Sequence, residues 1–313
     1  MRVPFCGGLR HPHSRGRRIS CLAEGFQTGG SGRAARYSAG TRSCGRGVVV
    51  VDKSDLDKPS PARMYDYYLG GATNFAVDRE AAERALEAMP FTRVGARTNR
   101  AWLGRAVRYL AGQGIRQFLD LGSGCPTVGN VHQVAQEAAD GCRVLYVDND
   151  DVAVAHAERI LDSELGADRG SAAVCFDMRE VDEVLRAASL SLDLSLPVAV
   201  LASAVLHFVP DEDDPAGILA KYCAPLVPGS FLAISHMSPI GRPTDEMSGF
   251  TQAYEKASLP LSLRDHDEVA ELLVGYDLVE PGLVRVPLWC PDSPTEPADA
   301  EFPGFAALAR IHG

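Results

Sequence analysis

Phe118-Leu119-Asp120-Leu121-Gly122-Ser123-Gly124-Cys125-Pro126-Thr127 reads as a buried apolar strand that carries an acid, turns on two glycines and runs into a helix. Glycine lacks a Cβ, so this turn lets backbone approach a ligand closely, and the helix start behind it offers unpaired N–H groups. The stretch departs from the dinucleotide pattern GxGxxG because Thr127 stands at the third glycine position. Alone it fits either a ligand-binding turn or a plain strand-to-helix connection.

Downstream, short apolar runs alternate with helix-length segments, the pattern of a parallel βαβ sheet. Strands are expected at Gln117 to Leu121, Arg143 to Val147, Ala173 to Phe176, Pro197 to Ala202 and Ser230 to Ile234. Helices are expected between them, near Val128 to Ala139, Asp151 to Leu165, Glu180 to Leu190 and Pro215 to Tyr222. The tail differs: Tyr276 to Glu280, Leu283 to Trp289 and Phe305 to Ile311 read as strands, suited to an antiparallel hairpin at the sheet edge. Upstream, Ser60 and Pro61 open a helix that stops at Gly70-Gly71, and Asp78 to Met89 and Thr98 to Ala111 follow as amphipathic helices.

Two further acids sharpen the reading of the glycine turn. Val144 to Val147 ends in Asp148-Asn149-Asp150, and a carboxylate at the end of the second strand can accept both hydroxyls of an adenosine ribose. Asp177 follows the third strand, where it can accept from an adenine amino group. Each acid alone is as well explained as a helix cap. Their joint order and spacing point to a nucleotide.

The series Asp120-Leu121-Gly122-Ser123-Gly124, Asp148, Asp177 and Ala204-Val205-Leu206-His207-Phe208 resembles the class I, Rossmann-like methyltransferases. More narrowly, Ala62-Arg63-Met64-Tyr65-Asp66-Tyr67-Tyr68-Leu69-Gly70-Gly71 with Asn74-Phe75 and Asp78 resembles the actinobacterial S-adenosyl methyltransferase family once catalogued as a domain of unknown function. Asn99-Arg100, Asn130-Val131-His132, Tyr146 to Asp150 and His207-Phe208-Val209 match it too, and the similarity spans roughly residues 59 to 312. The resemblance implies a doubly wound, mostly parallel α/β sheet of seven strands ordered 3-2-1-4-5-7-6, strand seven antiparallel, with an N-terminal helical cap. It also implies S-adenosyl-L-methionine bound across the carboxyl ends of strands one to three. Cys125 departs from the family, which usually has a larger apolar residue there.

The expected cofactor contacts are Arg63, Tyr65, Gly70, Gly71, Asn74, Arg100, Asp120, Gly122, Gly124, Asp148, Asn149, Asp177, Met178 and Ala204. Arg63 or Arg100 is the expected partner of the methionyl carboxylate, and Tyr65, Tyr68 and Phe75 can cover the ligand, although Tyr68 and Leu69 equally suit docking of the first helix. Methyl transfer is an in-line displacement in which positioning dominates, with a base required only for a protonated nucleophile. His207 and His236, after the fourth and on the fifth strand, are the candidate bases; His207 has a second reading as a packing group over the adenosine. His132 reads as structural, and Asp211 to Asp214 as a solvated acidic loop or a contact for a cationic acceptor.

Charge separates the chain into two parts. Residues 1–46 hold nine arginines against Glu24, a balance of +8, so the full-length net charge of −10 leaves −18 on residues 47–313. An acidic body repels phosphate backbones, which points away from nucleic acid and toward a small-molecule acceptor. The arginine-rich start suits a transit peptide, an RNA-binding tail or non-native sequence upstream of a true start near Val48 to Lys53. It has too little apolar content to fold, and its deletion is expected to leave stability unchanged. No apolar run approaches the roughly 18 to 20 residues of a membrane span, and eight cysteines without a CxxC pair suit a reducing, cytoplasmic setting. The expected organisation is 1–46 as an extension, 59–112 as the cap and 113–313 as the cofactor-binding domain. Two other readings stay open from sequence: an NAD(P)-dependent oxidoreductase with the same first half, and a non-catalytic S-adenosylmethionine sensor.

Overall fold

In the computed structural model, which describes residues 56–165 and 170–312, the apolar runs form β1 (Gln117–Leu121), β2 (Arg143–Asp148), β3 (Ala172–Cys175), β4 (Ala199–Ser203) and β5 (Phe231–Met237). Three more strands follow: β6 (Asp277–Leu278), β7 (Val284–Arg285) and β8 (Gly304–Arg310). The sheet order is β3-β2-β1-β4-β5-β8-β6, with β7 also on β8. Neighbours among β1 to β5 pair parallel, and β8 pairs antiparallel with β5, β6 and β7. Every residue of β1 is buried, as expected for a parallel strand covered on both faces. The expectations for residues 1–46 and for a start near Val48 to Lys53 fall outside the described residues.

The expected order therefore holds with β8 in the place of the antiparallel seventh strand, but the described residues form eight strands rather than seven. The expected strand from Leu283 to Trp289 shortens to β7 because Pro287 has no N–H to donate, and Val286–Leu288 turns into a 3₁₀ helix. β8 lies between β5 and β6, where the expected order puts its last strand.

Between the parallel strands run α4 (Val131–Ala138), α5 (Asp151–Leu165), α6 (Val181–Ser191) and α7 (Pro215–Cys223). Their starts are set by local chemistry. Asp150 Oδ1 accepts the N–H groups of Val152 and Ala153 at 2.9 Å each, and Asp214 accepts the Gly217 N–H ahead of Pro215. Alternation along β1 sends Leu119 and Leu121 into one core and Phe118 into the other, so each face has its own apolar cluster.

Ahead of the sheet come α1 (Pro61–Leu69), α2 (Ala76–Ala88) and α3 (Thr92–Gly112). Trp102, Leu103, Ala106, Val107 and Leu110 of α3 pack against the sheet. Met64, Tyr68, Ala81, Ala82 and Ala85 form a third core with Met247, Phe250 and Tyr254 of α8 (Thr244–Lys256), which sequence reading did not anticipate. The cap is thus closed by a helix that follows β5. A short α9 (His266–Glu271) follows, capped by the Asp265 carboxylate.

Candidate functional site

A cavity of about 250 Å³ lies between the carboxyl ends of the central strands and the cap. On its polar side stand Asp120, Gly122, Gly124, Asp148, Asn149 and Asp177, with Met178 and Ala204 beside them. Gly122 and Gly124 have φ of +64° and +68°, the left-handed region that favours glycine. A Cβ on Gly122 would also sit 2.2 Å from Val205 Cγ2, so close approach of the loop after β4 requires glycine there. The Gly124 N–H donates to Asp148 Oδ2 at 2.7 Å and the Asp150 N–H to Asp148 Oδ1 at 2.9 Å, which locks the glycine turn to the end of β2. Burial pushes the Asp148 carboxyl up to about 6, against the pull of these N–H donors. Burial likewise raises Asp120 to about 7, with the nearby Arg100 opposing.

The two cap arginines, equivalent from sequence, differ in structure. Arg63 does not line the cavity. Its Nε donates to Asp78 Oδ2 at 2.9 Å, its Nη1 to Asp150 Oδ2 at 2.6 Å and its Nη2 to the Lys58 carbonyl at 2.6 Å. Arg63 thus stands outside the cavity wall where the sequence offered it as a carboxylate partner: two carboxylates pair with this guanidinium, and it ties α1, α2 and the end of β2 together. Arg100 does line the cavity, and its buried Nε has no hydrogen-bond partner among the described residues. Its guanidinium carbon lies 5.7 Å from the ring centre of Tyr65, another cavity residue.

Gly70, Gly71 and Asn74 are also outside the cavity wall. They build a latch around the buried Asp66. Asp66 Oδ2 accepts the Thr73 N–H and Asn74 Nδ2, both at 2.8 Å, and Oδ1 accepts the Thr127 hydroxyl at 2.8 Å. A Cβ on Gly71 would lie 2.0 Å from Asp66 Oδ1. The abrupt glycine stop after α1 thus allows a contact between cap and glycine turn. Phe75 is exposed, with the Arg63 guanidinium carbon 5.4 Å from its ring centre.

Asn99, on the buried stripe of α3, is the site residue that sequence reading left without a role. Its Nδ2 donates to the Tyr65 hydroxyl and to Ser203 Oγ, each at 3.1 Å, and its Oδ1 accepts from Ser235 Oγ at 2.6 Å. The cap is thereby pinned to the ends of β4 and β5. A polar side chain on an otherwise apolar helix stripe is the signal that marks it.

His207 lines the cavity, and its buried Nδ1 lacks a partner among the described residues. Burial and the neighbouring His236 and Arg264 hold its pKa well below the usual histidine range, so the ring is neutral. His236 also lines the cavity, but both of its ring nitrogens are engaged. Its Nδ1 is 2.6 Å from the Met237 carbonyl and its Nε2 2.9 Å from Arg264 Nη1, so the ring donates with one nitrogen and accepts with the other. Burial lowers its pKa to about 4. Nor is the acidic loop idle: Asp211 Oδ1 accepts from Arg264 Nε at 3.1 Å and Asp213 Oδ2 from Arg179 Nη1 at 2.8 Å. Arg179 also holds Asp177, through Nε at 2.8 Å and Nη2 at 2.7 Å, and keeps that carboxyl below its ordinary value. His132 bonds Tyr146 and Glu164 away from the cavity, a structural role. Cys125 fits tightly under the turn, its thiol 3.7 Å from the Thr73 carbonyl.

The other side of the cavity is apolar. Phe208, Phe250 and Tyr254 form a run of rings, with Phe208 to Tyr254 at 6.2 Å and Phe250 to Tyr254 at 4.8 Å between centres. Tyr68 closes it, its hydroxyl 3.1 Å from that of Tyr254.

Residues 50–312 match the profile of a family described as S-adenosyl methyltransferase. A solved protein of a family of unknown function from Streptomyces avermitilis is similar at 38% identity and TM-score 0.77, over 82% of this chain and 98% of that one. A proposed methyltransferase from Thermobifida fusca is similar at 34% identity and TM-score 0.76, over 83% of this chain and 98% of that one. A comparison with curated proteins gave no match. Among the described residues no helix is long and apolar enough to cross a membrane. The glycine turn, the strand-end acids and these matches agree, and the chain belongs to the S-adenosyl methyltransferase family, as an S-adenosylmethionine-dependent methyltransferase.

Proposed function

We propose that this methyltransferase modifies a small molecule enclosed between the strand ends and the cap, with Arg100 as the anchor of the cofactor's carboxylate. The observation that carries the reading is Arg100 itself: a cavity-lining cation whose buried Nε lacks a partner suits a ligand carboxylate. Asp148 fits the ribose hydroxyls. Its two oxygens each accept one backbone N–H and keep further acceptor capacity. Asp120 and the Gly122–Gly124 turn line the same side, and Asn149, Asp177 and Met178 flank the adenine end. Tyr65 and Ala204 sit where the cap meets the strand ends.

S-adenosylmethionine, when bound, supplies an electrophilic methyl group on a positively charged sulfur. The protein's part is to hold the acceptor against it and to exclude water, and Asn99 serves both by fixing the cap onto β4 and β5. His207 offers the acceptor a neutral imidazole, so it can take a hydrogen bond or a proton from a hydroxyl or amine. The −18 balance of residues 47–313 opposes a nucleic-acid acceptor. A cytoplasmic setting suits the five free cysteines among the described residues, and the sources of the two similar structures suit an actinobacterial origin.

Calorimetric titration with S-adenosylmethionine, S-adenosylhomocysteine and NAD tests the cofactor site. The first two are expected to bind at one per chain and NAD not at all. Binding of NAD without S-adenosylhomocysteine would overturn the assignment.

A further inference from the structure

The cavity is wider in chemistry than its cofactor requires. Its formally charged lining groups, Asp120, Asp148, Asp177, Arg100 and Arg179, and its two histidines belong to the strand ends, the loops after them and α3. Met89, Phe91, Phe208, Phe250 and the Tyr68–Tyr254 pair belong to one apolar cluster that also lines the cavity, with Phe302 beside Phe91. An ionic group against this cluster would lose hydration, and none of these lining side chains is charged to offset the loss.

Two polar features interrupt this apolar wall. At one end is the neutral ring of His207, 4.6 Å from the ring of Phe208 between centres. At the other are the hydroxyls of Tyr68 and Tyr254, 3.1 Å apart and both buried. That pair has two hydroxyl hydrogens and shares one hydrogen bond. Whichever tyrosine donates, the second hydrogen has no acceptor among the described residues. The pair therefore presents one unused donor, separated from His207 by the ring of Phe208, and ring faces along this wall suit stacking on a flat ligand.

We propose that the methyl acceptor is an uncharged, flat, hydroxylated aromatic molecule, its hydroxyl at His207 and a carbonyl-type oxygen at the Tyr68–Tyr254 pair. This inference rests on the cofactor reading given above. The apolar walls select against charge, the two polar ends set the direction in which the ring lies, and the free tyrosine hydrogen selects for an acceptor oxygen at the far end.

The test uses the full chain saturated with S-adenosylhomocysteine, and umbelliferone as a probe that carries a phenolic hydroxyl and a lactone carbonyl at opposite ends. Binding is read by calorimetry. Coumarin, which lacks the hydroxyl, and 2-naphthol, which lacks the carbonyl, are each expected to bind about tenfold more weakly, the loss of one hydrogen bond in a buried site. A carboxylated umbelliferone is expected to bind more weakly still. Tyr68→Phe and Tyr254→Phe alone are expected to keep umbelliferone affinity, because the surviving hydroxyl still has its hydrogen to give. The double variant is expected to lose about tenfold for umbelliferone and nothing for 2-naphthol. Removing both partners of a hydrogen bond with little change of shape is mild for the fold, and unchanged S-adenosylhomocysteine affinity verifies it. Three results would overturn the proposal: no binding of any neutral probe to the loaded protein, tighter binding of the carboxylated probe, or a double variant that holds umbelliferone like wild type. Failure to bind S-adenosylhomocysteine would instead overturn the cofactor reading.

Discussion

The seam that joins α1 and α2 to the end of β2 and the α3 wall of the cavity each carry a buried or half-buried arginine, and the two are built to opposite ends. In the seam every polar group of Arg63 that the structure records meets a carboxylate or a carbonyl, and Asp78 and Asp150 are shared with the backbone N–H groups of Ser60, Phe75, Val152 and Ala153. In the cavity wall Arg100 has a buried nitrogen without a partner and Asp120 carries a carboxyl raised by burial. The seam is satisfied without a ligand and the wall is not. Unsatisfied buried polarity is costly, so the difference separates residues that hold the fold from residues that await a partner.

The largest expected effect lies in the seam. Arg63→Met leaves Asp78 and Asp150 buried without their counter-charge and is expected to cost about 3–5 kcal/mol in denaturant unfolding. Arg100→Met is expected to change unfolding by less than about 0.5 kcal/mol. Equal losses would erase the contrast between the two regions.

Next is Asp148→Ala, expected to weaken S-adenosylhomocysteine binding by about 2 kcal/mol through unpaired ribose hydroxyls. Unchanged affinity in a titration would remove Asp148 from the site. Gly71→Ala follows. It is expected to cost about 1–2 kcal/mol of stability as the new Cβ displaces the Asp66 carboxylate from Thr73, Asn74 and Thr127, with cofactor affinity per folded molecule nearly intact. A thermal melt with no shift would show that the latch is dispensable.

The smallest effect, taken per pH unit, is a slope of at most about 1.4 kcal/mol. Asp120 is raised from 3.8 to about 7, so between these values the native state keeps a proton that the unfolded chain has released. Native stability is therefore greatest at the acid end of that window and falls as pH rises through it. Asp120→Asn is expected to flatten this fall in unfolding measurements across the window. A slope as steep as that of wild type would place the titration elsewhere.

The same contrast explains what could be read from the sequence. The parallel strands and their terminal acids were legible because an apolar run ending in Gly or Asp is a local pattern, and α5 was placed to the residue. The latch was not legible because Gly70-Gly71 and Asn74 look the same in sequence whether they face a cofactor or Asp66, 61 residues in sequence from its partner Thr127. The separation of Arg63 from Arg100 was illegible for the same reason, since Asp150 reaches Arg63 from 87 residues away. The fixed state of His236 depends on Arg264, 28 residues on. Helix α8 was missed although Met247, Phe250, Ala253, Tyr254 and Ala257 keep helical spacing, because Thr244, Ser248, Gly249 and Thr251 dilute the stripe. With it went half of the aromatic wall.

Arg100 is the group on which the cofactor site depends, and the measurement that bears on it most directly compares S-adenosylmethionine with 5′-methylthioadenosine, which lacks the amino-acid portion, on wild type and Arg100→Ala by calorimetry. The expected result is a wild-type preference for S-adenosylmethionine that shrinks about tenfold in Arg100→Ala, with 5′-methylthioadenosine affinity unchanged, as the loss of one charge-assisted contact requires. A preference undiminished in Arg100→Ala would contradict the assignment of this arginine as the carboxylate anchor.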